Sequence, residues 1–84
     1  MSFTVAFEPK AEKEFLQLDK AVQAQIAQKI RDLQSGHFTG DKALKGKHQG
    51  KFRKRAGDWR IIYLKEGNLL LITIIRIAHR REVY

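Results

Sequence analysis

Nine consecutive residues, 69–77, read LLLITIIRI. Branched and apolar side chains at successive positions favour an extended strand, in which neighbours point to opposite faces. This strand is apolar on both faces, so both need cover. It is expected at the centre of a sheet, in a chain whose 84 residues hold one small domain spanning residues 1–84. The rest of the chain has to supply the partner strands and the two covers.

Residues 2–8 alternate Phe3, Val5 and Phe7 with Ser2, Thr4 and Ala6, the period of a strand. Glu8-Pro9 marks a helix entry, because proline is tolerated where its missing N–H is not needed. Ala11, Phe15 and Leu18 then share one helical face, and Asp19 breaks or caps the segment. A second helix places Val22, Ile26, Ile30 and Leu33 in one seam and ends at Ser35-Gly36. Residues 37–50 contain three glycines and no periodicity, and read as a loop. Residues 51–55 form a short cationic edge strand, Gly57-Asp58 a turn, residues 59–65 a strand and Glu66-Gly67-Asn68 a hairpin loop into the apolar strand. The expected fold class is α+β in the order β-α-α-β-β-β. A twisted, mostly antiparallel four-stranded sheet carries a helical hairpin on one face. The second face must be covered by side chains of this chain or by a partner.

Charge is distributed unevenly. Residues 1–41 carry five Lys/Arg against six Asp/Glu, a balance of −1, and residues 42–84 carry twelve against three, a balance of +9. An excess confined to one half points to an anionic partner, with nucleic acid ahead of an anionic membrane. The apolar strand is far shorter than the roughly 20 residues of a membrane span. The start, Met1-Ser2-Phe3-Thr4-Val5, lacks the basic and apolar regions of a secretory leader, so a cytoplasmic location and no membrane partner are expected. The absence of cysteine excludes disulfide and thiolate chemistry. His37 and His48 show no ligand spacing, so neither a metal nor another cofactor is expected.

Strand geometry puts Lys51, Arg53 and Arg55 on one face, with Phe52 on the other. On the next strand Arg60 shares a face with Ile62 and Leu64, where a guanidinium is costly unless it reaches an anion or the sheet edge. Acids are scarce in this half, which favours an external anion. Arg76 reads as structural, neutralised by Glu82 or Asp58. The chain closes on His79-Arg80-Arg81-Glu82-Val83-Tyr84, an imidazole, two guanidiniums and a phenol directly after the apolar strand. A cationic sheet face with tyrosine and histidine but no acidic cluster suits RNA cleavage. RNA carries its own nucleophile, the 2′-OH. Attack on the adjacent phosphate needs a base, donors for the phosphorane oxygens and an acid for the leaving 5′-oxygen. Lysine and arginine stabilise the developing charge without a metal, and a lysine crowded by guanidiniums can serve as base. A two-metal nuclease would instead need carboxylates.

The element order, Leu44-Lys45-Gly46, the cationic Phe52-Arg53-Lys54-Arg55, the pattern Gly57-Asp58-Trp59-Arg60-Ile61-Ile62-Tyr63, and the tail from Arg76 to Tyr84 together resemble the RelE/ParE toxin superfamily. The tail is most similar to RelE-type toxins. The resemblance covers essentially the whole chain, with Ala78 standing where glycine is common before the histidine. It implies the toxin of a type II toxin–antitoxin system, a metal-independent endoribonuclease that cleaves mRNA in the ribosomal A site and so inhibits translation. Lys51 is implied as general base, and Arg53 and Arg60 as holders of the scissile phosphate. Arg80 is implied to stabilise or protonate the leaving group, and Tyr84 to stack on or orient the nucleotide. His79 is the rival acid or base. Lys45, Lys47, Lys54, Arg55 and Arg81 are the expected RNA-binding cations. Implied partners are mRNA, ribosomal RNA and a cognate antitoxin, through which the complex would bind operator DNA. The alternatives are a ParE-like inhibitor of DNA gyrase and a non-catalytic RNA-binding relative that acts in repression.

Overall fold

The computed structural model describes residues 2–46 and 50–82. Strand β1 (Thr4–Phe7) leads through Glu8 into helix α1 (Pro9–Leu16). Pro9 occupies the first turn of α1, where no N–H is required. Asp19 caps helix α2 (Lys20–Gln34), its carboxylate accepting from the Val22 N–H at 3.0 Å. The helix stops at Ser35. Gly36 follows at φ 79°, and the Gly36 and His37 N–H groups donate back to the Leu33 and Asp32 carbonyls.

Strands β2 (Lys42–Ala43), β3 (Lys51–Ala56), β4 (Trp59–Glu66) and β5 (Leu71–His79) complete a five-stranded sheet ordered β1-β5-β4-β3-β2. Every pairing is antiparallel except β1 with β5. The sheet has one strand more than the sequence pattern indicates. Two residues of the glycine-rich loop, Lys42 and Ala43, pair with Arg53 and Phe52, so β3 is interior rather than at the edge. The apolar strand β5 is also interior, although β4 takes the middle position. No helix among the described residues is long and apolar enough to cross a membrane.

Both helices cover one face. Ala11, Ile26, Ile30 and Leu33 pack against Ile61, Tyr63, Ile72, Ile74 and Ile77 in one core, with Phe3, Phe7, Phe15, Phe52 and Trp59 around it. A bulge lets β5 serve this core along its whole length. Tyr63 pairs with Ile74 but Ile62 pairs with Arg76, leaving Ile75 as the extra residue. The slip reverses the alternation, so Ile72 and Ile74 before it and Ile77 after it all face the helices. Glu14 of α1 closes the irregularity. Its carboxylate accepts from the Ile77 N–H at 2.8 Å and from Arg76 Nε and Nη2 at 3.1 and 2.7 Å. Arg76 is therefore structural, as its sequence context suggests, but its partner comes from α1 rather than being Glu82 or Asp58.

At the other side of the helix face, a second polar group is fully enclosed. Lys54 Nζ lies 3.0 Å from Asp41 Oδ1 and donates to the His37 carbonyl at 3.1 Å. The Tyr63 hydroxyl donates to Asp41 Oδ2 at 2.5 Å, and burial followed by the Asp41 carboxylate pushes the phenol's pKa well up. The Tyr63 ring is stacked with Phe52 and Phe38 at centroid distances of 5.6 and 6.3 Å. These contacts fasten the segment entering β2 to the sheet.

Candidate nucleic-acid interface

The face of the sheet away from the helices is built differently. Its apolar part is small: Ile62 and Ala78 are buried there, with Leu44 and Ile75 against them. Beside it the strand register assembles a cluster of cations. Arg55 pairs directly with Arg60 across β3 and β4, and Arg53 pairs with Ile62. Cross-strand partners share a face with their Cβ atoms about 5 Å apart, a spacing at which like charges repel. Lys51 is on the same face, opposite Leu64, about 13 Å along the strand from Arg55.

Arg60 sits at the centre of the charge. It is 8% exposed, and its Nη1 donates to the Gly57 and Trp59 carbonyls at 3.3 and 3.2 Å. Burial, then Arg55, Arg53 and Arg80 in that order, hold its pKa below the ordinary guanidinium value, and Asp58 pulls the other way. A guanidinium does not relieve such repulsion by losing its proton. An anion does. Arg53 makes the same demand more sharply, because its Nε is buried with no hydrogen-bond partner among the described residues. A buried donor left unsatisfied is the opposite of what a structural arginine shows.

Arg80 joins from a 3₁₀ turn (Arg80–Glu82) that follows β5 directly. Its N–H donates to the Asp58 carbonyl at 2.8 Å, which ties the turn to the β3–β4 hairpin. Gly57 permits that hairpin by adopting φ 63°, and a Cβ there would stand 2.5 Å from Gln25 Nε2. The Arg80 guanidinium is 3.7 Å from the Asp58 carboxylate, with both side chains more than half exposed. A pair so open is weak and leaves the cation available.

The fold thus brings Arg53, Arg55, Arg60 and Arg80 together and leaves Lys51 at the far end of the face. Lys45 and Arg81 are exposed near its margins. Tyr84 and Lys47, named on sequence grounds, lie outside the described residues. Two assignments change. Lys54 is not a surface cation for RNA: it alternates with Arg53 and Arg55, so it points to the helix side and is buried against Asp41. His79 packs edge-on against Trp59 at 5.3 Å, also on the helix side, and its Nδ1 accepts from the Arg81 N–H. The sheet separates this imidazole from the guanidinium cluster. One cation was missed. Lys42 is the cross-strand partner of Arg53 and belongs to the same face. The loop-like composition around it conceals the strand.

The model of the ParE toxin family of the type II toxin–antitoxin system parDE matches residues 5–84. The chain is a member of the RelE/ParE superfamily of type II toxins. A RelE-like toxin protein of Escherichia coli is 31% identical over 83 residues, covering 98% of this chain and 87% of that one. Among solved structures, the toxin–antitoxin complex RelBE2 of Mycobacterium tuberculosis matches with TM-score 0.86 and 25% identity, over 95% of this chain and all of the other. The archaeal RelE–RelB complex of Pyrococcus horikoshii matches with TM-score 0.82 at 22% identity, over 99% of this chain and all of that one. This RelE/ParE toxin therefore has the fold that its sequence resemblance implies, with the guanidinium cluster on the face that its helices leave open.

Proposed function

We propose that this toxin is a ribosome-dependent endoribonuclease that cleaves mRNA in the A site and halts translation. The observation that carries the reading is the open-face cluster of Arg53, Arg55, Arg60 and Arg80, in which Arg53 Nε is buried without a partner among the described residues. A cluster of four guanidiniums balanced, among the described residues, only by the exposed Asp58 suits a phosphate that becomes more negative during reaction. In the reaction, the 2′-oxygen forms a bond to phosphorus and the bond from phosphorus to the 5′-oxygen breaks. A base takes the 2′ proton, and an acid returns one to the leaving oxygen. The products are a 2′,3′-cyclic phosphate and a free 5′-hydroxyl. Arg53 and Arg60 hold the phosphate, and Arg80 faces the leaving group. Lys51 and Tyr84 remain the candidates for proton transfer and nucleotide stacking, and Arg55, Lys45 and Arg81 contact the surrounding RNA. A protein that acts on ribosomes works in the cytoplasm.

The partner in the resting state is a cognate antitoxin, through which the complex binds operator DNA. Membership of a type II toxin family supports this, as do structural relatives solved as toxin–antitoxin complexes. The helices leave a mainly apolar groove of about 360 Å³ between them, lined by Phe7, Phe15, Leu16, Ala27 and Ile30 together with Glu12, Arg31 and Gln34. Leu16 is 67% exposed there. We assign the groove to an amphipathic segment of the antitoxin, acidic overall to match a toxin of net charge +8.

A second reading, gyrase inhibition, is favoured by the ParE description of the matching family. One pair of assays separates the two. Purified toxin is added to ribosomes translating a defined mRNA, with the cuts mapped by primer extension, and in parallel to gyrase supercoiling relaxed plasmid. Cuts that require ribosomes, with gyrase unaffected, support the nuclease. Inhibited gyrase and intact mRNA would replace it with the second reading.

A further inference from the structure

We propose that the edge strand β2 supplies a second phosphate subsite on the open face, in which Lys42 grips the backbone of single-stranded RNA and Arg53 bridges that phosphate to the one it holds with Arg60. The proposal rests on the nuclease reading for its substrate class. Lys42 and Arg53 are direct cross-strand partners, so their cationic side chains rise side by side from the same face. Among the described residues neither forms a salt bridge, and Arg53 Nε lacks any hydrogen-bond partner. Two neighbouring cations without a carboxylate fit a shared anion better than they fit each other.

The strand that presents Lys42 is held firmly. The preceding residue, Asp41, is fastened from below by Lys54 and Tyr63, and the Leu44 N–H donates to the Lys51 carbonyl at 2.9 Å. Leu44 follows Lys42 by two residues, so it shares the face and packs against Ile62 and Ala78. The subsite therefore has a cationic rim from Lys42 and Arg53 and an apolar floor from Leu44, which packs on the buried Ile62. A rim for phosphate beside a floor for a base or ribose suits a single strand with splayed bases, not a duplex whose bases are stacked away.

The test uses the intact toxin and a short, uncleavable 2′-O-methyl oligoribonucleotide, with binding read by fluorescence anisotropy across a salt series. Lys42→Ala is compared with Lys10→Ala, which removes the same charge from the exposed surface of α1. Lys42→Ala is expected to weaken binding about fivefold to tenfold and to flatten the dependence of log K on log salt by about 0.7. Lys10→Ala is expected to leave the salt slope unchanged. If the two variants bind alike, or if wild-type toxin does not bind the oligonucleotide, the subsite is wrong. The result is independent of cleavage. Lys42-dependent binding by a toxin that cuts no mRNA on ribosomes would keep the subsite and overturn the nuclease reading.

Discussion

Replacing Asp41 with alanine is the most severe single change the structure offers outside the apolar core. The substitution leaves the Lys54 ammonium buried, with the side chains of the pair 7% and 5% exposed, and strips the Tyr63 hydroxyl of its acceptor. Removing one partner of a buried ion pair costs about 3–5 kcal/mol, and an orphaned hydroxyl adds about 1–3 kcal/mol. Lys54 keeps the His37 carbonyl, which places the total near the low end, about 4 kcal/mol. A domain of this size is stable by roughly 5–15 kcal/mol, so much of that would be lost. With an m value of about 1 kcal/mol per molar urea, the midpoint falls by roughly 4 M. Urea titration followed by Trp59 fluorescence measures it. Tyr63→Phe keeps the stacked ring and removes one charge-assisted hydrogen bond, at a cost of about 1.5–3 kcal/mol. The double variant Asp41→Leu with Lys54→Met removes both charges and should come back to within about 1–2 kcal/mol of wild type. The reasoning is refuted if Asp41→Ala costs under about 1 kcal/mol, or if the double variant is no more stable than Asp41→Ala.

Three further outcomes follow from the same geometry. Glu14→Gln keeps an acceptor for the Ile77 N–H but loses the negative charge that faces Arg76. It should cost about 1–2 kcal/mol in thermal unfolding and speed amide exchange at Ile77, while Glu14→Ala should cost more. The Tyr63 phenol has a folded pKa raised above its unfolded value of about 10, so its contribution is complete below that pH and lost as pH rises through the folded value. Stability should therefore fall in alkali, and Tyr63→Phe should remove that part of the fall. Leu16→Glu, in the groove between the helices, should weaken antitoxin binding at least tenfold in a calorimetric titration and leave cleavage on ribosomes intact.

The cationic face was legible in the sequence because a strand alternates. Once residues 51–55 are read as extended, Lys51, Arg53 and Arg55 must share a side, and Arg60 among Ile62 and Leu64 marks the neighbouring strand. The same alternation places Lys54 with Phe52 on the helix side. Charge alone hid this, because the partner that neutralises it, Asp41, lies 13 residues away in a segment that looks like a loop. Lys42 was hidden for the same reason: a two-residue strand leaves no periodicity to find. The position of His79 depends on the bulge at Ile75, which shifts the phase of β5 by one residue and turns the imidazole away from the guanidiniums. A bulge is fixed by tertiary contacts, here Glu14 reaching from α1, and no local pattern announces it.

On this reading the open-face guanidiniums bind reacting phosphate rather than support the fold. Single-turnover cleavage of mRNA on programmed ribosomes, for Arg53→Ala and Arg60→Ala beside wild type, tests it most directly. Thermal unfolding of the same samples accompanies the kinetics. Each variant should lose about 10²–10³ in the cleavage rate. Thermal stability should stay unchanged or rise, because each substitution relieves repulsion among the guanidiniums that Asp58 offsets only in part. Near wild-type cleavage by either variant, or a loss of activity that follows a loss of folding, would contradict this reading.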